Sequence, residues 1–271
     1  MKIRTMTEGE LAMVLDWAQA EGWNPGLDDA PAFHAADPGG FFLAEIDGAP
    51  VAAISVVNHD DAHAFLGLYI CRPEHRGRGH GFALWQAALA HAGGRTVTLD
   101  GVAEQQANYA RSGFVFAGRT LRHSLEAVPP GDGTARPAQA ADMAALMQMD
   151  RAACGHARDG FAKEWFEGTE TRRTWVIGPE GAPTAFATHR LCHSGTKIGP
   201  LHAQTEAEAR ALLSCAPQGP VFIDVPEGSG LETLVRSIGF EPVFQTARMH
   251  CGPAPQGTAP AYYAVATLEL G

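Results

Sequence analysis

Three short segments occur twice in this chain, in the same order. Gly48-Ala49-Pro50-Val51 returns as Gly181-Ala182-Pro183-Thr184, and Leu66-Gly67-Leu68-Tyr69 as Ile198-Gly199-Pro200-Leu201. Arg111-Ser112-Gly113-Phe114 returns as Arg236-Ser237-Ile238-Gly239-Phe240. Each match alone is short. Kept in order, each at a similar point of a strand–helix pattern, they read as a duplicated domain. A length of 271 residues suits two domains of ordinary size. Val128-Pro129-Pro130-Gly131-Asp132-Gly133 is the best linker by its Pro and Gly content, which divides the chain into 1–128 and 134–271.

Within the first copy, Glu8 to Ala20 carries helix-period apolar residues. Phe41 to Ile46 and Pro50 to Val57 read as strands joined by the hairpin signal Asp47-Gly48. Ala64 to Cys71 is a third strand, ended by Pro73. Gly79 to His91 is a helix with Phe82, Trp85 and Leu89 on one face. A strand over 96–99, a helix over 104–112 and a strand from Phe114 complete the copy. The fold class is mixed, α/β or α+β.

The copies differ at one informative place. Gly67 and Gly113 lie 46 residues apart, Gly199 and Gly239 only 40, and the shortened stretch is where the first copy carries Arg76-Gly77-Arg78-Gly79-His80-Gly81. The second copy instead runs His202-Ala203-Gln204-Thr205-Glu206-Ala207-Glu208-Ala209-Arg210, a helix start with two carboxylates and no glycine. Carboxylates there satisfy the helix dipole themselves and repel a phosphate. One copy binds an anion; the other has another role.

Strand, Pro73, Arg-Gly-x-Gly-x-Gly, helix is an arrangement suited to a pyrophosphate. Glycines let a bulky anion approach the main chain, and the first amides of the helix point outward unpaired. Arg76 and Arg78 add full charge. The spacing fits neither common nucleotide loop. No Lys-Ser or Lys-Thr follows the glycines, and a dinucleotide fingerprint needs GxGxxG after the first strand of a βαβ unit.

The formal net charge of −10 argues against a nucleic-acid surface and is compatible with a cationic small substrate. No apolar run approaches the roughly 20 residues of a membrane span, and the first residues lack a secretory signal. Five cysteines without a CxxC pair read as reduced thiols. A cytoplasmic protein is the expectation. His59-Asp60-Asp61-Ala62-His63 lacks HExxH spacing and falls in a turn, so no metal is expected.

Tyr69-Ile70-Cys71-Arg72-Pro73-Glu74-His75 followed by Arg76 to Gly81 resembles the R/Q-x-x-G-x-G/A motif of the GNAT superfamily of N-acetyltransferases. Asn108-Tyr109-Ala110-Arg111-Ser112-Gly113-Phe114 resembles the Tyr-containing signature near the end of that fold. The resemblance covers Met1 to about Ala127, and the second half looks like the degenerate C-terminal domain of tandem GNAT proteins. It implies two GNAT-like domains, each a mixed, mostly antiparallel sheet flanked by helices, and acetyl-CoA as acyl donor.

Residue by residue, the resemblance implies that the amides of Arg76, Gly77, Arg78, Gly79, His80 and Gly81 bind the coenzyme A pyrophosphate. Main-chain groups of Tyr69 and Cys71 would hold the pantetheine, with the Tyr69 amide polarising the thioester carbonyl. Asn108 would touch the pantetheine arm, and Tyr109 would protonate the departing thiolate. Tyr109 also suits a packing role on an amphipathic helix. The family glutamate eleven residues before the loop is Phe65 here. Asp100, Glu21 or water is left to take the amine proton. Glu21, Trp23 and Asn24, in a Gly/Pro loop, are candidates for the acceptor site, although a structural turn fits them equally. The expected partner is a small-molecule or peptide amine, with no nucleic acid, no membrane, and a homodimer as a possible assembly. A non-catalytic acyl-CoA sensor is the competing reading.

Overall fold

The structure is a computed structural model that describes residues 1–131 and 133–271; Asp132 of the linker lies outside the described residues. The first half runs β1 (Lys2–Thr5), α1 (Glu8–Ala20), α2 (Asp29–Ala36), β2 (Phe41–Ile46), β3 (Ala49–Asn58), β4 (His63–Cys71), α3 (His80–Ala92), β5 (Thr96–Gly101), α4 (Gln106–Arg111) and β6 (Val115–Leu125). The second runs β7 (Arg136–Pro137), α5 (Met143–Cys154), α6 (Asp159–Phe166), β8 (Arg172–Ile177), β9 (Ala185–Leu191), β10 (Thr196–Ala203), α7 (Glu206–Leu213), β11 (Val221–Pro226), α8 (Gly230–Ile238), β12 (Glu241–Cys251) and β13 (Tyr262–Ala264). Up to β12 the halves have the same order of elements, as the repeat implied. The sequence reading passed over β1 and α2.

The two expected sheets are one. Its order is β1-β2-β3-β4-β5-β12-β6-β11-β10-β9-β8-β7, with β13 added beside β10. Read by position in each copy, that order is a palindrome, and at its centre the halves exchange their long strands. β12 of the second half pairs with β5 of the first, and β6 of the first pairs with β11 of the second. The exchanged strands also pair with each other from Glu241↔Ser124 to His250↔Val115. The halves are therefore joined by backbone hydrogen bonds across the whole seam.

Side-chain alternation sorts the layers. Phe41, Leu43, Ala53 and Val57 face a core shared by α1, α2, α5 and α6, in which Phe33 and Phe161 lie against Trp165 at centroid distances of 6.0 and 4.8 Å. Ala52, Ile54 and Val56 face α3 on the other side, where Met249 and Ala247 of the exchanged β12 complete the core. A third core lies under α7 and α8. The Asp47-Gly48 hairpin has both residues in the left-handed region, at φ 51° and 78°, as its sequence required.

Candidate active site

The site grows from an irregularity in β4. Pairing of β4 with β5 is parallel from His63↔Thr96 to Leu66↔Leu99 and then stops. On its other side β4 slips register against β3 between Ser55↔Gly67 and Ala53↔Ile70. Leu68 sits in this bulge at φ 46°, a strained angle for a leucine. Beyond it the strands part, because Asp100 and Gly101 follow β12 instead. Tyr69 to Cys71 consequently have no β5 partner, and a cleft opens between the two strands.

At the cleft mouth the glycine loop takes the form its sequence demanded. Gly77 and Gly79 have φ 75° and 83°, and Gly79 is the N-cap of α3. That helix has no side-chain cap and no acid in its first turn, so its leading amides are unclaimed by side chains. A Cβ on Gly81 would lie 2.7 Å from the Tyr69 hydroxyl, which explains the third glycine. In the second half the same helix end is closed. Thr205 caps α7, and the Glu208 carboxylate accepts from the backbone N–H groups of Gln204 and Thr205 at 3.1 and 3.0 Å.

The cleft has two connected parts. The outer one, about 800 Å³, has among its lining residues Glu21, Trp23, Tyr69, Cys71, the loop residues Arg76, Gly77, Gly79, His80 and Gly81, and Val102, Gln105 and Phe244. The inner chamber, about 70 Å³, is lined by Trp23, Leu66, Gly67, Leu68, Tyr69, Leu99, Asp100, Val102, Gln105, Tyr109, Arg122, Phe244, Thr246, Leu268 and Glu269. Trp23, Tyr69, Val102, Gln105 and Phe244 belong to both and form the neck between them.

Tyr109 is 6% exposed and stacks on Trp85 at 5.5 Å, with its ring against Gly101. Among the described residues none hydrogen-bonds its hydroxyl, and the residue borders the chamber. Burial, then the neighbouring Tyr69 phenol, push its pKa well above the usual value, so it keeps its proton. Packing and chamber roles thus coincide in one residue.

Other expected residues are placed differently. Arg76 Nε donates to the Cys71 carbonyl at 2.8 Å and its guanidinium pairs with Glu21, so Glu21 is engaged by the loop. Arg78 is exposed beside the mouth and borders neither space. Asn108 also lies outside both; its amide donates to Gln105 at 2.8 Å and its carbonyl accepts from Arg111. Asn24, at φ 52°, exchanges two hydrogen bonds with the Ser194 backbone, at 2.8 and 3.0 Å. It ties the halves together and does not reach the cleft. Trp23 does reach it, with its carbonyl held by Arg122 at 3.0 Å and Lys197 at 2.8 Å. Asp100 is saturated by donors from both halves: Thr120 at 3.1 Å, Thr246 at 3.0 Å and Arg248 at 3.2 Å.

Phe244, Thr246, Leu268 and Glu269 were not anticipated, because they come from the half without a loop. In the segment Tyr262 to Leu270 only Tyr262–Ala264 is a strand. After it the chain leaves the sheet and passes under the chamber.

A profile of the GNAT acetyltransferase family matches residues 10–114, and one for a GNAT acetyltransferase domain matches residues 146–264. Over 97% of its length the chain is similar, at 36% identity, to a holothin acyltransferase of Pseudoalteromonas sp. (strain SANK 73390), of which it covers 92%. This chain belongs to the GNAT acetyltransferase family. Among solved GNAT-type structures, its fold is similar to a candidate acetyltransferase from Pyrococcus horikoshii, with a TM-score of 0.83, 20% identity, and coverage of 100% of this chain and 95% of that one. It is also similar to a tandem GNAT protein from the clavulanic acid biosynthesis pathway, at a TM-score of 0.61 and 14% identity over 93% of this chain and 99% of that one. Both likenesses span nearly whole chains, so the fold that is shared includes both halves.

Proposed function

We propose that this GNAT protein transfers an acetyl group from acetyl-CoA to a primary amine of a small molecule, by direct attack in a ternary complex. The observation that carries the reading is the continuity from the Arg76–Gly81 loop, through the β4–β5 split, to a chamber bordered by Tyr109. Residues 1–128 supply the cofactor site. Residues 134–271 shape and cover the acceptor site.

The fit to coenzyme A rests on three features. Left-handed glycines and unclaimed helix amides suit a pyrophosphate. The unpaired edge at Tyr69 suits the amides of a pantetheine arm, and the neck at Gln105 leads that arm inward. Arg76 supplies charge at the mouth by releasing Glu21. Within the chamber a neutral amine attacks the thioester carbonyl, the Tyr69 amide holds the developing oxyanion, and Tyr109 hands its proton to the thiolate. Proton loss from the amine runs through water, since Asp100 already accepts from Thr120, Thr246 and Arg248, and Glu21 borders the outer cleft and not the chamber.

Acceptor size follows from the narrowness of the chamber. With room of about 70 Å³, reached past Trp23 and Phe244, it suits a compact amine better than a peptide chain. The name of the Pseudoalteromonas relative makes holothin the first acceptor to try. The experiment is thiol release from acetyl-CoA and from longer acyl-CoAs with a panel of amines that includes holothin. Tight acetyl-CoA binding with no amine-dependent thiol release would defeat the transferase reading in favour of a sensor.

A further inference from the structure

After β13 the chain crosses both copies of the repeat. β13 occupies the gap beside β10 that in the first half is the cleft, pairing Leu201↔Ala264 to Ala203↔Tyr262. Val265 N–H then donates to the Asp224 carbonyl at 3.0 Å. A Cβ on Gly199 would lie 2.3 Å from the Val265 carbonyl oxygen, and one on the equivalent Gly67 would lie 2.0 Å from that of Glu269. Both glycines are there to let this strap pass. The same stretch fills the slot of the second half and then forms the floor of the chamber in the first.

The strap is fixed in place. Arg190 donates to the Ala266 carbonyl at 2.8 Å, His59 Nε2 to that of Leu270 at 2.9 Å, and Gly271 N–H to Thr267 at 3.1 Å. Glu269, held between these points, is only 3% exposed. Its Oε2 accepts from the Thr267 hydroxyl. Its Oε1 accepts from no described group, yet it is not among the polar atoms sealed from solvent, and the residue borders the chamber.

The nearby cations are engaged elsewhere. Arg122 is bidentate to Asp224 at 2.7 and 2.9 Å, Lys197 donates to the Trp23 carbonyl, and Arg190 lies 3.5 Å from Asp29. Burial pushes the Glu269 carboxyl up, but the fields of Lys197 and Arg190 and the Thr267 bond outweigh it and keep the group ionised. A buried carboxylate with one open oxygen is costly unless an N–H or O–H reaches it. Trp23, Leu66, Leu68, Phe244 and Leu268 give the chamber its apolar surface.

We propose that Glu269, brought by the second half, anchors the acceptor nitrogen by accepting its N–H bond and so selects compact amines with apolar flanks. This rests on the amine reading above. It gives the loop-less half a residue in direct contact with substrate.

The test is steady-state kinetics of Glu269→Gln with the best amine of the panel. The amine KM should rise about 10- to 100-fold, the loss expected for a hydrogen bond to a charged group, while the acetyl-CoA KM stays within about twofold. An unmoved amine KM, or equal rises for both substrates, would overturn the assignment. If that variant fails to fold because Lys197 is stranded, Glu269→Gln with Lys197→Met removes both charges together. An ordinary amine KM in the double variant would overturn it equally. No amine-dependent turnover in the unmodified protein would instead defeat the amine reading, and this proposal with it.

Discussion

Arg248 lies directly opposite Asp100 across the seam, and its guanidinium reaches that carboxylate at 3.2 Å. The relationship is reciprocal. Arg122 of the first half stands opposite Asp224 of the second, bonded at 2.7 and 2.9 Å. Each half sends an arginine on its exchanged strand to an aspartate in the latter part of the other half's fifth strand. The two pairs differ in setting: the Arg122–Asp224 side chains are 6% and 7% exposed, whereas Arg248 is 34% exposed.

That difference predicts unequal costs. Asp224→Ala leaves Arg122 buried without its partner and should lower stability by about 3–5 kcal/mol, the range for a broken buried pair. Asp100→Asn keeps acceptors for Thr120 and Thr246, and water can reach Arg248, so its loss should be clearly smaller. Urea unfolding of both variants checks this; equal losses would contradict it.

The exchange also predicts that residues 1–130 alone do not form a stable monomer. In that fragment β5 loses β12 as its neighbour, β6 loses both neighbours, and Met249 and Ala247 leave the core beneath α3. Circular dichroism and gel filtration should show an unfolded or self-associated fragment, and co-expression with residues 134–271 should restore folding. A well-folded monomeric fragment would refute the prediction.

Gly79→Val should abolish coenzyme A binding. A φ of 83° is strained for valine, and the side chain would cover the amides heading α3. Calorimetric titration of the parent protein should give one site per chain. Two equivalent sites would mean that α7, closed by Glu208, also binds.

Tyr109→Phe should lower kcat by about 10- to 1,000-fold with little change in acetyl-CoA affinity, because the hydroxyl acts as sulfur gains charge. The ring stack on Trp85 survives the change, so folding should not confound the measurement. Unaltered turnover would leave Tyr109 as packing alone.

Stability should fall as the pH drops below about 6.5. Burial pushes His156 and His202 down to about 4, and His59 and His189 down to about 3. Between those values and 6.5 the unfolded chain binds protons that the folded chain does not, so the stability present above 6.5 is lost on acidification. Each histidine contributes at most about 1.4 kcal/mol per pH unit. Lys197, pushed down to about 8 by burial and then by Arg122, adds a separate rise in stability from pH 8 towards 10.5. Unfolding free energies flat between pH 7 and 4.5 would contradict the first effect.

Local patterns were legible in the sequence, and pairings between halves were not. The Arg76–Gly81 loop, the α3 helix and the carboxylates of α7 declare themselves within a few consecutive residues, and their geometry matches. Strand exchange leaves no such mark. β6 and β12 alternate in the same way whether they pair at home or across the seam, since period 2 specifies a face and not a neighbour. Asn108 was placed in the cleft by motif, but a helix position fixes only a direction, and its amide turns to Gln105 and Arg111. Glu269 lies 160 residues after Tyr109 in sequence, and only the path of the strap brings both to one chamber.

Without the strap the molecule would look nearly the same from either end. Nine residues, 262–270, remove that ambiguity: threaded one way, they obstruct one slot and furnish the other. The open slot of the first half and the filled slot of the second therefore follow from one path of the chain. Freeing the second slot for a cofactor would mean withdrawing the strap and stripping Glu269 from the first. A revived second site and the present first site cannot coexist on this chain.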